Sequence, residues 1–109
     1  MGEKGTSVSR VFSLHSDVRH DFAEAISYYA GVEPGLPQRF TDELVTAFEF
    51  IETNPTVGRM VHSRFRRVFL KHFPYMVYYR VTDTNVFVSL LVHTRRNPVW
   101  VQDQLTGRS

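Results

Sequence analysis

Cysteine is absent from the 109 residues, which excludes disulfides, thiolate metal sites and a cysteine nucleophile together. Long apolar runs are missing too. Every hydrophobic stretch is broken by charge well short of the ~18 residues that a membrane-spanning helix needs. The opening "MGEKGTSVSR" has no apolar core for a secretory signal, so the cytoplasm is the expected location and no membrane partner is expected. Gly2 with Thr6 meets the loose N-myristoylation pattern, which a polar end matches easily. "NPT", Asn54 to Thr56, fails as a glycosylation sequon because proline fills its middle position. Acids are nearly lacking from Arg59 to Arg96, where Asp83 alone stands against eight bases, a net of +7. From Asp17 to Glu52 the balance reverses: eight acids face Arg19 and Arg39, a net of −6. The formal total of +2 hides two opposite poles. Such polarity predicts an anionic partner for the C-terminal half, either nucleic acid or an acidic protein segment.

What is present suffices for a core. Hydrophobic residues make up 42% of the chain, with nine Phe and five Tyr, and charged residues an ordinary 22%. A chain of this length is expected to form one domain over 1–109, with flexible ends over 1–9 and 102–109. "VFSLH", Val11 to His15, is a short β-prone run, and Ser16 or Asp17 then offers a helix cap. Val18, Phe22, Ala25, Ile26 and Tyr29 fall on one helical stripe, which Gly31 can close in a left-handed conformation, predicting a helix over 17–30. After "GVEPGLP", Leu36, Phe40, Leu44, Ala47, Phe48 and Ile51 continue at helical spacing until "NPTVG", predicting a second helix over about 37–53. So short a connector makes the pair an antiparallel hairpin. Val45 and Phe50 lie off the stripe, where they could meet a partner.

Beyond Arg64 the period drops to two. Val68 and Leu70, then Tyr75, Val77, Tyr79 and Val81, then Val86, Val88, Leu90 and Val92 alternate with residues of the other face. "TDTN", Thr82 to Asn85, is a turn by composition. The predicted class is α+β in two layers: an N-terminal strand, a helix hairpin, and a three-stranded antiparallel meander whose sheet the first strand joins.

Several polar residues in this region invite functional readings beside structural ones. Alternation sends Arg66 and Arg67 to opposite sheet faces; each can keep a sheet edge soluble or bind a partner. Arg80 shares a face with Met76 and Tyr78, a setting that can clamp a carboxylate or phosphate, or serve a salt bridge to a helix acid. His93 could titrate as a base but lacks an evident acid partner, and is equally a hydrogen-bonded strand end. Arg95 and Arg96 follow it. Trp100 can fold back over the sheet or anchor a partner, and Tyr28 lies off the buried stripe. His62 and His72 have no metal-ligand spacing with His93, so no metal and no cofactor are expected.

The blocks "FAEAISYYAGVEPGLPQRFTDEL", "IETNPTVG", "RRVFLKHFPYMVYYRV" and "VSLLVHTRRNPVW" together resemble the ParE branch of the RelE/ParE toxin superfamily, over about residues 10–100. The resemblance implies a compact toxin of a type II toxin–antitoxin pair, neutralised by a cognate acidic antitoxin and forming a hetero-oligomer with it or a homodimer. The ParE branch implies DNA gyrase as the target, reached by binding alone. The RelE branch implies cleavage of mRNA on the ribosome, which needs a proton acceptor, a proton donor and cations on the phosphate. An alternative catalytic set would be His93, Arg95 and Arg67 with Tyr78 or Tyr79 assisting. Met76 stands where that branch commonly has arginine, however, and no tyrosine follows His93. A non-enzymatic toxin is therefore expected, with Arg66, Arg67, Tyr78, Arg80, His93, Arg95, Arg96 and Trp100 facing antitoxin or target. A solitary relative without toxicity is the third reading.

Overall fold

The computed structural model describes residues 10–62 and 64–109, so the acylation pattern at Gly2 and the polar end over 1–9 lie outside the described residues. The chain runs β1 (Val11–Leu14), α1 (Val18–Ala30), α2 (Leu36–Thr53), β2 (Arg59–Val61), β3 (Phe65–Phe69), β4 (Tyr75–Val81), β5 (Asn85–His93) and α3 (Pro98–Gly107). This is the expected α+β order with two additions, the three-residue β2 and the helix α3.

The helices form where their apolar stripes demand it. Val18, Ala25 and Tyr29 of α1 and Phe40, Leu44 and Ile51 of α2 are buried on one side of the sheet. Pro37 sits in the first turn of α2, where its missing N–H costs nothing. Gly31 ends α1 at φ −81, so the expected left-handed glycine is not used. Instead the N–H groups of Val32 and Glu33 both donate to the Tyr29 carbonyl and tighten the exit.

The sheet order is β1-β5-β4-β3-β2, with β1 parallel to β5 and every other neighbour antiparallel. Its helix-facing side carries Val68, Leu70, Val77, Tyr79, Val86 and Val88 in the main core. Tyr79 is fully buried, and its hydroxyl accepts from the Gly58 N–H and donates to the Pro55 carbonyl, both at 2.8 Å. That pair of bonds fixes the path from α2 into β2.

The expected single stripe along β5 is corrected by a β-bulge. Tyr79 pairs with Val88 but Tyr78 pairs with Leu90, so Ser89 is the extra residue. Beyond it the faces exchange: Val86, Val88 and Leu91 face the hairpin, whereas Leu90 and Val92 join a second core with Phe65, Met76 and Tyr78. Val101 and Leu105 of α3 cover that second core. The expectation of a loose end over 102–109 is therefore corrected too, since α3 continues to Gly107 and Arg108 is buried. Met76 and Tyr78, read from sequence as an open face, lie beneath this third layer.

Arg108 closes the arrangement. β1 ends opposite Val88, so among the described residues no strand flanks the outer edge of β5 beyond that point. Asp21 of α1 accepts the Leu91 N–H at 3.1 Å, and Arg108 donates to the Ser89 carbonyl at 3.1 Å. The two side chains form a bidentate pair at 2.6 and 3.0 Å. An ion pair thus continues the hydrogen bonding that β1 leaves off, and ties α3 around the sheet edge to α1.

Candidate functional site

A groove of about 580 Å³ runs between α2 and β3. One wall is the α2 face carrying Arg39, Asp42, Glu43, Thr46, Ala47 and Phe50; the other is Val68, Phe69 and Leu70, continued by Lys71 and His72. Phe50 and Phe69 are both more than half exposed, at 51% and 57%. Two aromatic rings left in water across one groove are a costly arrangement for an unpartnered surface. The strand wall is also open. β2 accompanies β3 only as far as the Arg59–Arg67 pair, so among the described residues no strand flanks Val68 and Phe69 on that side. Because the Leu70 N–H bonds the Tyr75 carbonyl of β4, ladder alternation turns the main-chain groups of Phe69 toward the open edge.

The far end of the groove is held by Glu43. Its carboxylate accepts the His72 N–H and contacts the His72 ring nitrogen Nδ1, each at 2.8 Å. Burial alone would raise this carboxyl's pKa, but hydrogen bonds from the His72 and Lys71 main chain and the His72 ring, with the imidazole's charge, outweigh it and hold it below its ordinary value. A depressed carboxyl contributes stability that is present above the unfolded pKa, about 4.3 for Glu, and lost as pH falls through the lower folded value. Glu43→Gln is therefore expected to flatten the acid side of the stability profile. Urea midpoints measured from pH 6 to pH 3 check this: the wild type should lose the larger share below about pH 4.5, and parallel profiles would show that the contact is idle.

Cations rim the groove and spread onto the outer sheet face. Arg59 and Arg67 are directly opposite one another across β2 and β3, a spacing at which like charges repel. The Arg67 guanidinium lies 4.9 Å from the Phe69 ring. On β4, Arg80 lies 5.2 Å from the Phe87 ring and 5.9 Å from Phe65. The Nε atoms of Arg67 and Arg80 are buried without a hydrogen-bond partner. Among the described residues, no carboxylate comes within ion-pair distance of Arg59, Arg67, Lys71, Arg80, Arg95 or Arg96, and the Arg–carboxylate pairings are both made by Arg108, with Asp21 at 2.6 Å and with Asp17 at 4.0 Å. The separation of charge seen in sequence is thus preserved in space.

The residues singled out from sequence divide into separate groups. Arg67 and Arg80 share the outer face. Arg66 points the other way, donating to the Gly58 and Thr56 carbonyls at 2.9 and 3.3 Å, and so holds the turn into β2. Tyr78 is only 4% exposed. His93 stands across from Tyr75, their rings 5.2 Å apart, and its Nδ1 accepts the Arg95 N–H at 3.0 Å. That bond occupies the Nδ1 lone pair and leaves the ring proton of the neutral form on Nε2. Arg96 stacks over Trp100 at 3.7 Å. His93, Arg96 and Trp100 therefore line a different recess, beside Tyr28 and α1. The alternative catalytic set is not brought together: His93 is on the hairpin side and Arg67 on the outer face, while Tyr79 is buried with its hydroxyl committed. Sequence reasoning missed Phe69 and Arg39 as groove residues. Phe50, which breaks the helical stripe, was the visible signal.

Comparisons with known proteins agree with this architecture. Residues 12–98 match the family model described as the ParE toxin of the type II toxin–antitoxin system, parDE. Toxin ParE2 of Mycobacterium tuberculosis, found in two strains, is 30% identical over 103 residues, covering 94% of this chain and 98% of the relative. A solved chain described as the chromosomal ParDE TA system from P. aeruginosa superposes with a TM-score of 0.71 at 14% identity, over 80% of this chain and 98% of that one, a likeness of fold. With the family model spanning most of the sequence and a relative matched along nearly its whole length, this chain belongs to the ParE toxin family of type II toxin–antitoxin systems.

Proposed function

We propose that this chain arrests growth by binding DNA gyrase and is held inactive by a cognate acidic antitoxin seated in the groove between α2 and β3. The observation that carries the antitoxin half is the groove itself: apolar walls from Ala47, Phe50, Val68 and Phe69, an open strand edge, and a rim of Arg39, Lys71 and Arg67. A partner segment with apolar residues toward α2 and acids toward the arginines matches all three features. Ordering such a segment consumes part of the gain, so the complex depends on both the apolar and the charged contacts. Gyrase is favoured over the ribosome by the resemblance to the ParE branch and by the scattered positions of His93, Arg67 and Tyr79. No helix among the described residues is long and apolar enough to cross a membrane, which suits a target within the cytoplasm.

The test is to read the neighbouring reading frame for a small acidic protein, and to induce the chain in bacteria alone and then together with that product. Arrest that co-expression relieves, with purified protein inhibiting gyrase supercoiling and leaving ribosome-bound message intact, is the expected result. Cleaved message with undisturbed supercoiling would transfer the target to the ribosome, and normal growth on induction would mark a non-toxic relative.

A further inference from the structure

Opposite the groove, on the α1 and β5 flank, a second recess of about 380 Å³ is lined by Glu24, Tyr28, Tyr75, His93, Arg96 and Trp100. It shares no lining residue with the groove. Its floor is rigid, because Asp21 and Leu91 beneath it belong to the clip that Arg108 closes. Tyr28 is 63% exposed at the end of α1, set edge-on against Tyr29 at 5.1 Å. Arg96 is laid flat on Trp100, while Arg95 beside it is exposed. Tyrosine, tryptophan and arginine around a preformed recess are the residue types that dominate the energetics of protein interfaces; Tyr and Trp give large contact area at small entropic loss, and Arg96 is already held by its stacking on Trp100.

We infer that this recess is the surface by which the toxin engages its target protein, separate from the surface that engages the antitoxin. The inference rests on the toxin reading above and assigns its two activities to opposite flanks of the molecule. The occupant is a protein loop that inserts an apolar side chain between Tyr28 and Trp100 and presents a carboxylate to Arg96 and Arg95. A nucleic acid is disfavoured, because Glu24 shares the wall with Arg96: a single carboxylate can be aimed at Arg96 and away from Glu24, whereas a strand carries a phosphate at every step and cannot avoid it.

The experiment titrates growth arrest against inducer and, in parallel, measures antitoxin affinity by calorimetry for the full chain. The variant is Tyr28→Ala with Arg96→Glu, two solvent-facing changes, with Phe69→Ala in the groove as the reciprocal control. The double variant is expected to need at least about tenfold more toxin for arrest while its antitoxin affinity stays within about threefold. Phe69→Ala is expected to do the opposite. Full toxicity in the double variant overturns the inference and leaves the toxin reading standing. So does a parallel loss of toxicity and antitoxin affinity, which would mean one shared surface or a damaged fold. A wild-type chain that fails to arrest growth overturns the toxin reading and this inference with it. Binding of a single-stranded oligonucleotide that the double variant abolishes would reassign the recess to nucleic acid.

Discussion

Asp21→Ala is expected to destabilise the fold by about 3–5 kcal/mol, the cost typical of stranding one member of a buried ion pair. For a chain of 109 residues that corresponds to a fall in Tm of roughly 10–20 °C. Two losses combine. The Arg108 guanidinium, 8% exposed, is left without its bidentate acceptor, and the Leu91 N–H loses the oxygen that stands in for a strand partner. Arg108→Ala should also be costly, leaving the Asp21 carboxylate buried with one N–H donor. The double variant should cost less than the sum of the singles, because neither charge remains to be stranded. Replacing both by apolar residues should recover only part of the loss, since the Leu91 N–H and Ser89 carbonyl would each still lack a partner, at about 1–3 kcal/mol apiece. Thermal and urea unfolding followed by circular dichroism measure all of these. An Asp21→Ala protein within about 1 kcal/mol of wild type would show that the clip is ornamental and that α3 is held by Val101 and Leu105 alone.

Phe69→Glu is expected to weaken antitoxin binding by roughly 100-fold or more, in the range of an interface hot spot. The ring is exposed, so stability should change by no more than about 0.5 kcal/mol. The substitution acts twice. It removes apolar area from the groove wall, and it places a carboxylate beside the Arg67 guanidinium, which now stands 4.9 Å from the ring. An internal acid there would occupy the cation meant for the antitoxin. Arg67→Gln, by contrast, should mainly slow association and reduce its dependence on salt, the usual behaviour of a rim charge. Calorimetry and stopped-flow mixing at two salt concentrations separate the two effects. Unchanged affinity for Phe69→Glu would move the antitoxin elsewhere on the surface.

The elements that were legible in the sequence are those with one buried face. The α2 stripe from Leu36 to Ile51 and the alternation of Tyr75, Val77, Tyr79 and Val81 each set apolar against polar residues, and the period announces the element. The β5 bulge was hidden for the opposite reason. Both faces of that strand are covered, so the series Val86, Val88, Leu90, Val92 continues unbroken in letters while the backbone slips by one residue. α3 was harder to see because only Val101 and Leu105 are buried on it. Its start is nonetheless written in Asn97-Pro98: the Asn97 carboxamide oxygen caps the Val99 N–H at 2.8 Å, with proline in the first turn. Asp21 carried a further hint. An acid at a buried position of an apolar helix stripe needs a cation, and Arg108 supplies it from 87 positions away. The candidate site divided because sequence shows which residues share a stretch of chain, whereas layers decide which share a surface. Arg66 and Arg67 adjoin in sequence and serve opposite faces; His93 and Tyr28 are distant in sequence and line one recess.

The position of β1 sets a timetable for synthesis. It lies beside β5, and Val11 meets its partner Asn85 only when most of the polypeptide exists. Until then the hairpin has just strands β2 to β4 to rest on, and the loop that must close runs from Val11 to Asn85, a long-range pairing of the kind that slows folding. A nascent chain emerging from the ribosome therefore cannot complete its sheet, or either of the two recesses built on that sheet, until β5 is free.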